Sequence, residues 1–96
     1  MPLRRGDIVG HDSERLSFRF TMLDRADDIV HCQISDAALD ALAGMRGTEG
    51  SVRSAQFLTL RDTIEALANA VYIRSPAVKG RPVRIFLKDV GDDLIG

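Results

Sequence analysis

The hydrophobic period of the chain changes at Ser35. Val30, Cys32 and Ile34 recur at every second residue, whereas Ala38, Leu39 and Leu42 recur at helical spacing. A strand therefore runs straight into a helix. Ser35 suits the N-cap, because its hydroxyl can accept from a free first-turn amide while Asp36 meets the positive end of the helix dipole. This junction demands a mixed α and β structure, and the remaining periodicities are placed around it.

Upstream, Leu16, Phe18, Phe20 and Met22 alternate with Ser17, Arg19 and Thr21, the pattern of a strand with one buried face. The charged turn Asp24–Asp28 separates it from the run Ile29–Ile34, so the two are expected to form an antiparallel hairpin. A short helix then covers Asp36 to Ala43, with Gly44 as its left-handed stop and Gly47, Thr48 and Gly50 in a loop. Phe57, Leu60, Ile64, Leu67 and Val71 lie on one stripe of a second helix. With Ser51 as N-cap and Pro76 disfavouring helical geometry at Ser75, that helix is roughly 20 residues and about 30 Å long. Val83, Ile85 and Leu87 alternate with Arg84, Phe86 and Lys88 as a third strand.

The expectation is an α+β fold of order β-β-α-α-β, a two-layer arrangement in which a three-stranded, mainly antiparallel sheet carries two helices on one face. Phe18, Phe20, Val30, Cys32, Ile34, Val83, Ile85 and Leu87 would form the sheet side of the core. Met1–Arg15 is polar, glycine-punctuated and without period, and reads as a flexible arm. Leu16–Val90 is the single domain, and Gly91–Gly96 is a tail. At 96 residues, 45% hydrophobic and with a net charge of −1, the composition is that of one ordinary globular domain. Cys32 is the only cysteine, so no disulfide framework is expected. Arg4 and Arg5 precede no apolar run of an export signal, and no stretch approaches the roughly 20 apolar residues of a membrane span. A cytoplasmic protein with no membrane partner is expected.

The residues Phe18-x-Phe20, Val30-x-Cys32-x-Ile34-Ser35-x-x-Ala38-Leu39 and Phe57-x-x-x-Arg61-x-x-Ile64-Glu65-x-x-Ala68-x-x-x-Tyr72 resemble the bacterial domain-of-unknown-function family 1488. The resemblance covers about Leu16 to Asp89 and is carried mainly by core positions. It implies a short single-domain protein and brings no catalytic residue with it. The loop Gly44–Gly50 and the linker Ser75–Arg81 fit that pattern least.

Chemical candidates are sparse. His31 and Cys32 are strand neighbours and so face opposite ways, which prevents them from sharing a metal ion. Cys32 faces inward as a small hydrophobe, and His31 faces out. His11 falls in the arm. No metal site, cofactor or catalytic set is expected, because G-x-S-x-G, H-E-x-x-H and the phosphate loop are all absent from the sequence. Asp27-Asp28 and Asp92-Asp93 read as solvated turn and tail residues.

Two binding readings stand side by side. In the first, Arg61 and Glu65, four apart on the long helix, contact a partner, together with Leu58 and Ile73 on a face that also holds Asp62 and Asn69. Against it, the pair reads as a solvated surface ion pair worth about 0.2–0.5 kcal/mol, in the less favourable Arg-before-Glu order. In the second, Gly44-Met45-Arg46-Gly47 is a G-x-x-G between two helices, the position at which KH domains clamp a nucleic-acid backbone. Arg19, Arg84 and Lys88 would supply positive charge on the sheet. The slightly negative net charge, and a sheet offering only Phe86 for stacking, weigh against it. The sequence therefore favours a non-enzymatic module acting through protein contacts, with another protein or as a homodimer, over a nucleic-acid binder.

Overall fold

The computed structural model of the protein describes residues 2–74 and 81–95. In chain order the elements are β1 (Arg4–Asp12), β2 (Ser17–Leu23), β3 (Ile29–Ser35), α1 (Asp36–Ala43), a 3₁₀ turn (Gly50–Val52), α2 (Arg53–Arg74), β4 (Val83–Ile85) and α3 (Leu87–Ile95). The strands form one four-stranded sheet in the order β1-β2-β3-β4. β1/β2 and β2/β3 are antiparallel and β3/β4 is parallel, so the sheet is mixed. The long connection that parallel pairing requires is supplied by α1 and α2.

The hairpin and the junction at Ser35 form as the periodicities predict. Ser35 is extended (φ −66°, ψ 151°), and its hydroxyl accepts from the Ala38 amide at 3.1 Å. At the other end of α1, Gly44 is left-handed (φ 68°). Its amide bonds the Ala41 carbonyl, and the Met45 amide bonds that of Asp40. These two bonds are a Schellman closure, which a glycine adopts without strain. The core joins Phe18, Phe20, Met22, Cys32, Ile34, Val83 and Ile85 of the sheet to Ala38, Leu39, Phe57, Ile64, Leu67 and Ala68 of the helices. The Phe57 ring stacks on Phe18 with centroids 4.6 Å apart and lies tilted against Phe20 at 5.0 Å.

Three expectations need correction. The sheet has four strands, because most of the supposed arm is β1. Leu3 just before it is 2% exposed and belongs to the core. Two irregularities in the pairing with β2, between Arg5 and Ile8 and between Ile8 and Gly10, leave Arg5, Ile8 and His11 opposite Met22, Phe20 and Phe18. Bulges of this kind insert unpaired residues and so abolish the alternation that marks a strand. At Gly6, inside the first irregularity, a Cβ would stand 2.5 Å from the Thr21 carbonyl oxygen, so only glycine fits.

The third predicted strand ends at Ile85, and Leu87 and Lys88 belong to α3, which also takes up most of the supposed tail. The Asp89 carboxylate accepts from the Phe86 amide at 2.7 Å, one half of a capping box, and Val90 is buried. α2 starts at Arg53 rather than after a Ser51 cap, since Ser51 lies within the 3₁₀ turn. Its expected stop at Ser75-Pro76 falls outside the described residues.

Candidate functional site

Polar side chains converge where α1 meets the start of α2. Asp36 and Asp40 lie one helical turn apart on α1, a spacing at which two carboxylates repel unless a cation joins them. Arg53 joins them. Its side chain is 4% exposed, with Nη1 2.7 Å from Asp40 Oδ1, Nη2 3.4 Å from Oδ2 and Nε 3.7 Å from Asp36 Oδ1. Asp40 Oδ1 also accepts from the Thr48 hydroxyl at 2.6 Å and from Gln56 Nε2 at 3.1 Å, while Gln56 Oε1 accepts from Arg53 at 2.8 Å. The Arg53 guanidinium, with help from Thr48 and Gln56, holds the Asp40 carboxyl well below the usual carboxylate range.

His11 reaches this cluster from β1. Its Nε2 lies 3.0 and 3.1 Å from the two Asp36 oxygens, and both side chains are 16% exposed. A carboxylate only accepts, so Nε2 carries the proton and donates. The opposite side of the ring rests against Gly50, where a Cβ would come within 3.2 Å of Nδ1. Val9–Glu14 and Arg19 line a shallow open depression beside it.

A second polar group ties β1 to α2. Arg5 donates to both Glu65 oxygens and to Asp62 at 2.8–3.1 Å. Arg61 donates to the Gly6 carbonyl at 3.0 Å, and its Nε lies 3.4 Å from Glu65. The guanidinium of Arg61 also stands 5.9 Å over the Phe57 ring. Leu3 donates its amide to Asn69 Oδ1 at 2.8 Å.

The side chains of Arg61 and Glu65 are 18% and 12% exposed and are bonded to Gly6 and Arg5 of β1, so they are not a free solvated pair. Leu58 and Ile73 remain 57% and 67% exposed. The nucleic-acid candidates divide. Arg19 and Arg84 both stand beside Gln33, in one row across β2, β3 and β4. Gly44, Arg46 and Gly47 follow α1, and Lys88 is on α3 rather than on the sheet. Gly44 is committed to closing α1.

Cys32 is buried and His31 is exposed, as strand alternation predicts. Burial, and secondarily the Glu65 carboxylate, push the Cys32 thiol up to about 12, which makes it a poor nucleophile at neutral pH. Among the described residues no group of three or more His, Cys, Asp or Glu side chains could hold a metal ion. No helix among them is long and apolar enough to cross a membrane. Neither the cluster of His11, Asp36, Asp40 and Arg53 nor the pairing of Arg5 with Glu65 is legible in the sequence, because β1, which carries His11 and Arg5, has no period.

A crystal structure of a protein of unknown function of the DUF1488 family from Shewanella loihica PV-4 superposes on this chain with a TM-score of 0.70. It covers 88% of this chain and 91% of that one at 17% identity. The chain has the fold of a DUF1488 protein. The family that the core positions resemble is thus also the family of a structural neighbour. No family model matches the chain, and no curated protein matches it.

Proposed function

We propose that this protein is a small non-enzymatic module that acts through protein contacts, in a two-layer form with helices on one sheet face and the other face free to bind. What carries this reading is the split within β2, β3 and β4. Phe18, Phe20, Cys32, Ile34, Val83 and Ile85 enter the core, while Arg19, Thr21, His31, Gln33 and Arg84 stay outside it, and Ile29 is 63% exposed. The convergent polar cluster speaks for structure rather than catalysis. Its carboxylates, guanidinium and amide are spent on one another, and an Asp40 held far below neutrality is a poor general acid or base. A cytoplasmic bacterial protein fits this reading, with a second copy or another protein on the free sheet face and with exposed Leu58 and Ile73 as further contact points.

The test is light scattering combined with a pull-down, using the wild-type chain and an Arg19→Glu/Arg84→Glu variant. The reading expects self-association or a recovered partner, lost in the variant. A strict monomer that recovers no partner would refute it.

The row of Arg19, Gln33 and Arg84 favours a second reading, nucleic-acid binding with the Gly44–Gly47 loop as clamp. That reading expects RNA or DNA affinity that falls steeply with added salt and is abolished by Arg46→Glu.

A further inference from the structure

β1 is bonded to the rest of the fold differently from every other strand. No residue from Arg4 to Asp12 is buried, and Ile8 and Val9 are 39% and 59% exposed. Apart from its pairing with β2, it is held by polar clasps: Arg4 on Asp27 of the β2–β3 turn, Arg5 on Glu65 and Asp62, the Gly6 carbonyl on Arg61, and His11 on Asp36. Leu3, just ahead of it, is its one anchor in the core.

The two shielded carboxylates that β1 would leave behind keep another cation. Glu65 retains Arg61, Asp36 retains Arg53, and the Asn69 amide retains its bond to the Glu65 carbonyl at 2.9 Å. Departure of the strand therefore strands no buried carboxylate without a cation, which is the usual obstacle to opening such a contact.

The connection to β2 is under strain. Only residues 13–16 link the two strands, and Leu16 has φ 51°. That left-handed geometry is unfavourable for a leucine. Burial offers no compensation, because the side chain is 63% exposed. The residue is held there by its carbonyl, which accepts from the Asp36 amide at 2.9 Å. A short strained hinge next to an edge strand is an arrangement from which two chains exchange an element.

We propose that β1 is an exchangeable strand, and that release of the strain at Leu16 drives two copies of this chain to trade β1 and form an intertwined dimer. Each copy then receives from the other the same clasps that its own β1 makes. The proposal is independent of the free sheet face, since a swapped dimer is built from contacts already present in the monomer.

The experiment uses the full chain carrying Arg4→Cys and Leu23→Cys, positions that face each other across β1 and β2. The protein is refolded at low and at high concentration, oxidised, and examined by light scattering and non-reducing electrophoresis. The expected result is a dimer fraction that rises with refolding concentration and is linked by a disulfide between chains. Adding Leu16→Gly, which removes the hinge strain while preserving the monomer fold, should lower that fraction several-fold. Monomer at every concentration would overturn the proposal. So would a dimer whose disulfides lie within each chain, the signature of association through a surface, or an interchain dimer indifferent to Leu16→Gly.

Discussion

The β2–β3 hairpin and β1 belong to one sheet but are fastened by opposite means. The hairpin contributes Phe18, Phe20, Met22, Cys32 and Ile34 to a core closed by Phe57, whereas β1 contributes no buried residue and relies on Arg5, His11 and its own backbone. Apolar burial scales with the area removed from water and is non-directional. An exposed ion pair such as Arg5 with Asp62 contributes little and weakens with salt. A strand can thus complete a sheet while adding no buried side chain of its own to the core.

The largest effect is expected from the hairpin's closing ring. Phe57→Ala removes a side chain that touches both Phe18 and Phe20, and should cost about 3–5 kcal/mol in urea unfolding, a large share of a small domain's stability. A loss well under that would mean that the aromatic stack is not the anchor. Next comes Arg53→Met, which leaves Asp40 and Asp36 without their shared cation and should cost on the order of 3 kcal/mol. Combining it with Asp40→Asn should recover part of the loss, because the stranded charge is then gone.

Acid unfolding gives a smaller and more specific effect. The Asp40 carboxyl is depressed in the folded protein, so its contribution is fully present above its ordinary value of 3.8 and is lost as pH falls below that toward the folded value. Asp40→Asn should flatten the acid limb of a stability–pH curve below about pH 4, and an unchanged limb would remove Asp40 as its source. The smallest global effect belongs to Arg5→Ala. It should leave the urea midpoint nearly unchanged while lowering hydrogen-exchange protection at the β1 amides, because Arg5 bonds only the exposed edge to Glu65 and Asp62.

The same contrast decides what could be read from the sequence. The hairpin, the Ser35 cap and the Gly44 stop were legible because each follows from a local rule: alternation, a hydroxyl before a helix, a glycine after one. β1 was not, because its irregular pairing places Arg5, Ile8 and His11 three residues apart, and two of the three are polar. The one available hint lay in α2. Arg61 before Glu65 is a weak pair by itself, and Glu65 proves to serve Arg5 of β1 as well. α3 was missed because Val83, Ile85 and Leu87 continue a strand pattern, whereas Asp89 three residues after Phe86 is the capping signal that ends it. The polar cluster of His11, Asp36, Asp40 and Arg53 joins residues from three elements, and no spacing along the chain announces such a meeting.

The decisive measurement is native-state hydrogen exchange in low urea, comparing the amides of β1 with those of β3. β1 amides are expected to exchange through an opening distinctly cheaper than global unfolding, while β3 amides exchange only with the whole domain. If the two sets share one opening free energy and one urea dependence, β1 is instead an integral part of the core unit.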